Sequence, residues 1–421
     1  MKRKDHRYLL NFLEYLARSA SIVHIHIHLD CIFQIIDWIF FLLLAVNVLY
    51  IFVFSMATLK GMPPKPAPTD KRKRYLILIA AYREDAVIRE TVKSCLNQDY
   101  PSGMFDVLVI SDHMTQTTND ALRAMPIKLL QVDFEKSTNT KSLKAALEYV
   151  GKDAPYDVVM IIDADNIVND KYLSEVNDAF ANPEVKVLQT HRVAKNLNTN
   201  TAYLDAVSEE MNNSIFRLGH VNLGMPTALI GSGMAFEFGL FYDAMMTNTS
   251  VGGFDRVLEM KLLYEGHFFH YLPRTKVLDE KIQKMDGFYN QRRRWLSAQY
   301  YSFAEFVNQL PSAIKEKKWG FIDKLYQQAA FSRVLLLGFI AIFTLVTTIF
   351  CSAISVKWWI ILFVLLLSLG VAIPRRYWGW RLVRSMLLVP YSFVLMFINL
   401  FRLKEANKRF IHTEHGAKAT E

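Results

Sequence analysis

Two aspartates stand directly after a continuous apolar run in the middle of the chain. They are Asp163 and Asp165, in the tetrapeptide DADN that follows VVMII. Two carboxylates separated by one residue can turn their oxygens toward one point, and hard divalent cations such as Mg²⁺ or Mn²⁺ prefer such ligands. The pair could therefore hold a cation together with a phosphorylated substrate. It could equally form an acidic turn that caps the next helix, and the motif alone does not decide between the two.

Other side chains that could take part in chemistry also follow apolar runs. Tyr82 and Glu84 come after YLILIAA, and Asp112 comes after DVLVIS. Lys141 precedes a helical pattern, where it could reach a diphosphate as a point charge or remain a surface lysine. No GxGxxG or GxxxxGK[ST] loop follows these runs, which argues against a dinucleotide dehydrogenase and against a P-loop enzyme.

A third group of candidates lies in the stretch GGFDRVLEMKLLYEG, residues 252–266. Asp255 is placed near the start of an amphipathic helix. It could be an acid that the helix dipole favours there, or a general base that projects into a site. Glu259, one helical turn later, is an alternative general base. The spacing leaves both assignments open.

The stretch NQRRRWLSAQ, residues 290–299, contains three consecutive arginines just upstream of a long apolar region. A basic run in this position is typical of an anchor at a membrane surface. On a helix, however, Gln291, Arg294 and Trp295 have the spacing i, i+3 and i+4 and share one face. Arg292 and Arg293 then lie on other faces, where we expect them to contact lipid headgroups.

Residues 75–162 alternate between strand-like and helix-like patterns, which predicts an α/β domain with a mostly parallel central sheet. In such sheets ligands bind beyond the carboxyl ends of the strands, where the acidic residues stand. The predicted strands are Tyr75–Ala81, Asp106–Ser111, Ile127–Val132 and Asp157–Ile162, and the predicted helices are Asp85–Leu96, one around Asn119, and Ser142–Val150.

Both ends of the chain contain segments that are long and apolar enough to cross a bilayer, which takes about 20 residues. The first, Ile32–Ala57, contains one charged residue, Asp37. The predicted later spans are Val334–Ser355, Trp358–Ile373 and Met386–Leu400, the last of which could instead lie in the interface. Residues 9–28 could form an additional amphipathic segment, so the number of crossings stays open.

Charge and composition give the expected orientation and division of the chain. The formal net charge of the 421 residues is +9, and many basic residues lie in Lys60–Arg74, just after the first span, which predicts a cytoplasmic middle domain. The basic flanks fit anionic lipid better than nucleic acid. Three widely spaced cysteines predict neither a disulfide framework nor a zinc site. The predicted units are residues 1–60 with one span, a basic linker 61–74, a catalytic domain 75–312, interfacial and membrane helices 313–402, and a basic tail 403–421.

Taken in order, these stretches resemble glycosyltransferase family 2, the inverting, nucleotide-sugar-dependent enzymes with a GT-A fold. They are most similar to the membrane-embedded branch that includes cellulose, chitin, hyaluronan and poly-N-acetylglucosamine synthases. The resemblance covers about residues 75–300 and the flanking spans. Its most diagnostic motif is Q-x-x-R-W, here Gln291, Arg294 and Trp295. The other matching stretches are IAAYRED (79–85), SDHMTQTT (111–118), KSLKAAL (141–147), DADN (163–166), GSGMAF (231–236) and GFDRVLEMKLL (253–263).

The resemblance implies a role for each matching residue. Asp163 and Asp165 would bind Mg²⁺ or Mn²⁺, and Asp255 would be the catalytic base. The implied donor-binding residues are Tyr82, Glu84, Asp112, Lys141, Asp163 and Arg294, and the implied acceptor-binding residues are Gln291, Trp295 and Gly233. The chain departs from the family pattern at Ala80, Arg83, Ser111, Gln116, Gly253 and Phe254.

The implied function is inverting transfer of a sugar from a nucleotide-diphosphate donor, expected to be a UDP-sugar, to a glycan or lipid-linked acceptor. The resemblance favours polysaccharide synthesis by a multi-pass protein of the cell membrane, at its cytoplasmic face, with a homo-oligomer or export partner to widen the channel. One alternative is a non-processive transferase that adds a single sugar to a lipid-linked acceptor. Another, which the motif departures would predict, is a catalytically inactive membrane regulator that binds a nucleotide sugar.

Overall fold

The computed structural model describes residues 33–283 and 285–401. The predictions for residues 9–28 and for the basic tail 403–421 lie outside the described residues. Within the described residues, the chain forms one curled sheet covered by helices, and four long apolar helices come from its two ends.

The sheet of the described chain has eight strands in the order β3-β2-β1-β4-β7-β6-β8-β5. Pairing is parallel between β1 and β2, β2 and β3, β1 and β4, and β6 and β8, and it is antiparallel at β4–β7, β6–β7 and β5–β8. The prediction of a mostly parallel α/β sheet is confirmed. The strands are β1 (Tyr75–Tyr82), β2 (Phe105–Asp112), β3 (Lys128–Val132), β4 (Val158–Ile161), β5 (Ile167–Val168), β6 (Val187–Ala194), β7 (Met234–Glu237) and β8 (Phe269–Asp279).

Helices cover both faces of the sheet, which explains the uninterrupted apolar sequence of β1. Leu76 and Leu78 pack into one core cluster, whereas Tyr75, Ile77 and Ile79 pack into the cluster on the opposite face. The helices of this region are α2 (Ile88–Leu96), α3 (Gln116–Arg123), α4 (Asn139–Val150), α5 (Tyr172–Phe180), α6 (Asn200–Asn212), α7 (His220–Asn222), α8 (Phe238–Met246), α9 (Phe254–Tyr264), α10 (Met285–Phe306), α11 (Leu310–Lys315) and α12 (Trp319–Ala329). A π-helical segment, Asn213–Gly219, joins α6 to α7.

Four candidate membrane spans occur in the described part of the chain. They carry large apolar side chains that face outward, such as Leu345, Ile349 and Phe363. Cys351, whose φ of −147° is not helical, separates the second span from the third. The spans are α1 (Phe33–Lys60), α13 (Arg333–Phe350), α14 (Ser352–Ala372) and the pair α15 (Trp380–Met386) and α16 (Val389–Leu400), which together form the fourth.

The charged residue of the first span is paired rather than isolated. Asp37 is buried on α1 and forms a salt bridge with Lys357 of α14, while its second oxygen accepts a hydrogen bond from Trp358 Nε1 at 2.8 Å. An unpaired charge at this position would be costly in an apolar surrounding, so the pair fixes how α1 packs against α14.

Candidate active site

A cavity of about 440 Å³ opens at the carboxyl ends of β1 and β4. Pockets of about 300–1,000 Å³ are usual for small-molecule ligands. One end of the cavity lies at the sheet edge and the other reaches α1 and α16, where Asn47, Tyr50 and Met396 form its wall. The predicted site residues that line it are Tyr82, Glu84, Asp163, Asp165, Asp255, Gln291, Arg294 and Trp295.

Three carboxylates converge at the sheet edge. Asp163 and Asp165 follow β4, and Asp279 is the last residue of β8. One oxygen from each lies within 4.8 Å of the others, as a shared cation would require. Sequence reasoning missed Asp279. The signal was present, because it is also an acid at a strand end, but β8 had not been recognised as a strand.

Asn166, the last residue of the DADN turn, organises this group. Its Nδ2 donates to Asp165 Oδ1 at 2.9 Å and to Asp279 Oδ1 at 3.1 Å, while its Oδ1 accepts from Ser232 Oγ. Ser232 Oγ also accepts from the backbone N–H of Asp163 at 2.9 Å. These bonds fix the turn so that both aspartates face the cavity. They also explain why a polar asparagine is fully buried here.

The electrostatics of Asp163 fit a divalent cation. Burial and the neighbouring charge of Asp165 raise the pKa of Asp163 to about 7, although Arg192 opposes the shift. Crowded carboxylates disfavour one another's ionisation, and a cation between them would remove that repulsion. The oxygen ligand set fits Mg²⁺ or Mn²⁺, so the residues present match the predicted cofactor.

Asp279 has two cationic partners. Lys281 Nζ lies 2.6 Å from Asp279 Oδ2, and Arg192 Nη1 lies 3.7 Å from Oδ1. Burial opposes ionisation of Asp279, but Arg192 and Lys281 outweigh it and lower the pKa of the carboxyl. Arg192 and Lys281 are buried cavity residues that the sequence did not reveal.

Two glycines position Asp255 at the start of α9. Gly253 precedes the helix with φ of +69°, a left-handed conformation that favours glycine. Gly231 has φ of +82°, and a Cβ built on it would lie 3.6 Å from Asp255 Oδ2. The loop after residue 230 therefore approaches the Asp255 carboxylate closely, in the wall of the cavity.

Glu259, the alternative base, is engaged in structural contacts. Its Oε1 accepts a hydrogen bond from the backbone N–H of Leu229 at 2.8 Å and lies 3.0 Å from Lys324 Nζ. Glu259 and Lys324 are 3% and 4% exposed. The carboxylate therefore joins α9 to α12 and to the loop ahead of β7, although Glu259 also lines the cavity.

Helix α10 carries the arginine-rich stretch and closes the cavity with Gln291, Arg294 and Trp295. Burial lowers the pKa of Arg294, whereas the charges of Asp163 and Asp255 oppose that shift. The Arg294 guanidinium is thus within electrostatic reach of both acids. A cation in this position suits phosphate oxygens.

The expectation that Arg292 faces lipid headgroups is wrong. Its guanidinium forms a salt bridge with Asp205 of α6 and lies 4.3 Å from the centre of the Trp295 ring. Arg292 also lines the cavity. Its charge is therefore used within the protein, where it fixes the orientation of Trp295.

Among the described residues, Asp112 and Lys141 lie behind those that form the cavity wall. Asp112 is paired with Tyr82 across β2 and β1, and its Oδ1 contacts His113 Nδ1. Lys141 is exposed in the first turn of α4, and its Nζ donates to the Lys136 carbonyl at 2.8 Å. A change in the side-chain conformation of Lys141 would be needed for it to reach a ligand in the cavity.

Gly233 has surroundings that differ from those of Gly231. Its φ is +65°, and a Cβ built on it would lie 2.6 Å from Thr190 Oγ1 and 3.0 Å from Val277. The structure therefore places Gly233 inside the packed sheet rather than at the cavity wall that the described residues form. In the segment GSGMAF, Gly231 is the glycine that approaches the site.

Comparisons with known proteins agree with this architecture. Residues 72–298 match the family described as "Glycosyltransferase like family 2". The probable glycosyltransferase YdaM of Bacillus subtilis is 22% identical over 244 residues, which are 55% of this chain and 57% of the relative. The beta-monoglucosyldiacylglycerol synthase of Nostoc sp. is 24% identical over 232 residues, which are 55% of this chain and 50% of the relative. The chain thus spans about half the length of these curated relatives.

Among solved structures, the mannosyltransferase PcManGT of Pyrobaculum calidifontis, in complex with GDP-Man and Mn²⁺, is 18% identical. The match covers 78% of this chain and 97% of that one, with a TM-score of 0.48. The family match covers more than half of the 421 residues, and it includes the sheet edge, Asp255 and the Q-x-x-R-W residues. The chain therefore belongs to glycosyltransferase-like family 2, and its sheet and covering helices form a GT-A-like fold.

Proposed function

We propose that the chain is a hexosyltransferase, which transfers a sugar from a nucleoside diphosphate to a hydroxyl group of a membrane-associated acceptor. The observation that carries this proposal is the shared position of Asp163, Asp255 and Arg294. They line one cavity and interact electrostatically with one another. A carboxylate that can take a proton, a cation for phosphate, and a metal-binding pair are the parts that this transfer needs.

The nucleoside is proposed to lie at the β1–β2 end of the cavity. Tyr82 forms the wall there, and Asp112 is its neighbour on β2. Asp112 is 1% exposed, and its Oδ2 lacks a hydrogen-bond partner among the described residues. A buried carboxylate oxygen of this kind can accept an N–H from a base. The sequence resemblance favours uracil as that base, and Asp112 would have to be uncovered for the contact to form.

The diphosphate is proposed to lie between Arg294 and the three carboxylates. Asp163 and Asp165, with Asp279 beside them, would hold Mg²⁺ or Mn²⁺. When bound, the cation would neutralise charge that develops on the leaving diphosphate. Arg294 supplies fixed positive charge on the opposite side of the same oxygens, and its planar fork can contact two of them.

The proposed reaction is a single displacement that inverts the configuration at the sugar C1. The acceptor oxygen forms a bond to C1 while the bond from C1 to the diphosphate oxygen breaks, and the nucleoside diphosphate leaves. The Asp255 carboxylate takes the proton of the acceptor hydroxyl. Aspartates are ordinarily ionised near neutral pH, and a positioned base of this kind typically contributes about 10²- to 10⁴-fold in rate.

The acceptor is proposed to enter from the membrane side. Asn47 and Tyr50 of α1 and Met396 of α16 line the end of the cavity opposite the nucleoside. Trp295 lies between the two ends, held by Arg292, and offers an apolar ring face for a sugar or lipid head group. The basic run after α1 favours the cytoplasmic face for the catalytic domain.

A lipid-linked acceptor that receives one sugar fits this geometry best, because the cavity ends among the membrane helices. Polysaccharide synthesis remains a prediction of the sequence resemblance. Product length separates the two, since a ladder of long products at limiting enzyme requires a growing polymer, and a single added sugar excludes one.

The test is a panel of nucleotide sugars with Mn²⁺ or Mg²⁺, offered to the purified chain in lipid nanodiscs and scored for nucleoside diphosphate release and product mass. Asp255→Asn should lower transfer about 10²- to 10⁴-fold. Glu265→Gln, at the exposed end of the same helix, is the matched control and should retain turnover. A wild-type chain that binds a nucleotide sugar but never turns it over would instead be the inactive regulator.

A further inference from the structure

We infer that the side-chain amide of Gln328, on α12, binds the acceptor, and that the acceptor head group carries a second hydroxyl beside the one that reacts. This inference rests on the proposed sugar transfer and specifies its acceptor class. Gln328 follows the Q-x-x-R-W motif by 33 residues in sequence, outside every stretch that the family resemblance covers.

The packing of α9 against α12 places Gln328 level with Asp255. Glu259 of α9 forms its ion pair with Lys324 of α12. One turn later on α9, Leu263 lies against Gly320, which is one turn earlier on α12. The two helices are therefore antiparallel. One turn in the other direction, the same register sets Asp255 opposite Gln328, and both residues line the cavity.

The Gln328 side chain is buried and unsatisfied. It is 4% exposed, and neither its Nε2 nor its Oε1 has a hydrogen-bond partner within the described residues. An amide that gives up water without gaining partners destabilises a fold, so buried polar groups are nearly always paired. A bound ligand would supply the missing partners.

The neighbouring residues show that this position is held firmly. Gln327 Nε2 donates to Asp323 Oδ2 at 2.8 Å, so the preceding glutamine is satisfied. Gln299 Nε2, from α10, donates to the Gln328 carbonyl at 2.8 Å and to the Ala330 carbonyl at 3.1 Å. The backbone at the end of α12 is therefore fixed, and the amide of Gln328 is the part of the residue that remains available to a ligand.

The chemistry of an amide defines the ligand class. Nε2 donates and Oε1 accepts, so one group must accept while an adjacent group donates. The reacting hydroxyl can accept from Nε2, but its proton goes to Asp255. A second hydroxyl is needed for Oε1. A sugar or another polyol meets this requirement. An acceptor with a single hydroxyl, such as diacylglycerol, does not. A phosphate group is largely deprotonated at neutral pH, so it cannot donate to Oε1.

The test uses two probes with the full chain in nanodiscs free of sugar detergents: an alkyl glucoside, which has adjacent hydroxyls, and a long-chain alcohol, which has one. Gln328→Met keeps the side-chain volume and removes both hydrogen bonds. We expect the KM for the glucoside to rise about 10- to 100-fold, the KM for the donor to stay the same, and the preference for glucoside over alcohol to fall by the same factor. Gln116→Met, on exposed α3, is the control.

The stability of the variant provides the second measurement. Removing an unsatisfied buried amide should leave the unfolding temperature unchanged or raise it, whereas loss of a structural hydrogen bond would lower it. An unchanged glucoside preference in Gln328→Met, with the wild type active and Asp255→Asn inactive, would overturn the inference and leave the proposed function intact. A wild type that turns over no nucleotide sugar would overturn both.

Discussion

The two carboxylates of α9, Asp255 and Glu259, allow a sharp test of the proposed chemistry, because removing each of them should have a different effect. Glu259→Gln removes the charge that faces Lys324, whose Nζ lies 3.0 Å away and which is 4% exposed. Breaking a buried ion pair by removing one partner costs about 3–5 kcal/mol. A glutamine can keep the hydrogen bond from the Leu229 N–H, so the lower end, about 3 kcal/mol, is expected. For a domain of this size that corresponds to about 6–12 °C in unfolding temperature.

The assay combines thermal unfolding with turnover measured well below the unfolding temperature. Glu259→Gln should unfold early but transfer sugar at a rate within about threefold of wild type. Adding Lys324→Met should restore part of the lost stability, because it removes the buried ammonium that Glu259→Gln leaves without its counter-charge. Asp255→Asn should show the reverse pattern, with stability within about 1 kcal/mol of wild type and turnover lost.

The reasoning would be refuted by a Glu259→Gln variant that is as stable as wild type yet inactive. Glu259 would then be the base, and its contacts with Leu229 and Lys324 would serve to tune a catalytic carboxylate. A Lys324→Met change that adds its own destabilisation to that of Glu259→Gln would show that the two side chains do not act as a pair.

Three further outcomes follow from the site. Asp279→Asn should weaken Mn²⁺-dependent donor binding at least about 10-fold, and an unchanged Mn²⁺ titration would remove Asp279 from the cation site. Arg292→Ala leaves Asp205 unpaired and Trp295 unsupported, so the acceptor KM should rise; a change confined to membrane retention would restore the anchor interpretation. Glu209→Gln should cost about 3–5 kcal/mol at pH 7. Glu209 is buried on α6 and forms salt bridges with Arg192 and Arg217. Burial opposes its ionisation, but Arg192, Lys281 and Arg217 outweigh burial and lower the pKa of Glu209 well below its usual value. Ionised Glu209 therefore stabilises the fold fully above about pH 4.3, and this stabilisation is lost as the pH falls further. The unfolding free energies of wild type and variant should converge in acid. A difference between them that does not change with pH would contradict this.

The parallel half of the sheet could be predicted from the sequence because β1, β2 and β4 each contain an unbroken apolar run. The predicted strand ends were correct to within one or two residues for β1, β2 and β4. Parallel strands share one edge at their carboxyl ends, so Tyr82, Asp112 and Asp163 were expected near one another from order alone. The helical spacing of Gln291, Arg294 and Trp295 likewise predicted a shared face, and all three line the cavity.

The part of the site formed by Arg192 and Asp279 depends on contacts between distant parts of the chain, which no local pattern encodes. β8 contains Pro273, and a bulge shifts its pairing with β6 between Thr190 and His191. Asp279 therefore did not read as a strand-end acid. Arg192 lies on β6, and its burial makes sense only beside its partners on α6 and β8. A sequence shows that such a charge exists but not which opposite charge will meet it.

The same limit explains why the arginine-rich stretch resembled a membrane anchor. A run of arginines does not show which element each side chain faces until the elements packed around its helix are known. α10 packs against α9, α12 and α16, so several of its faces meet protein. Arg292 turns to Asp205, Arg294 to the acids of the cavity, and Gln299 to the carbonyl groups at the end of α12. Helix α10 therefore carries Arg294 for the proposed diphosphate and Trp295 for the proposed acceptor, and it also holds the backbone of Gln328. A displacement of α10 should disturb all three together.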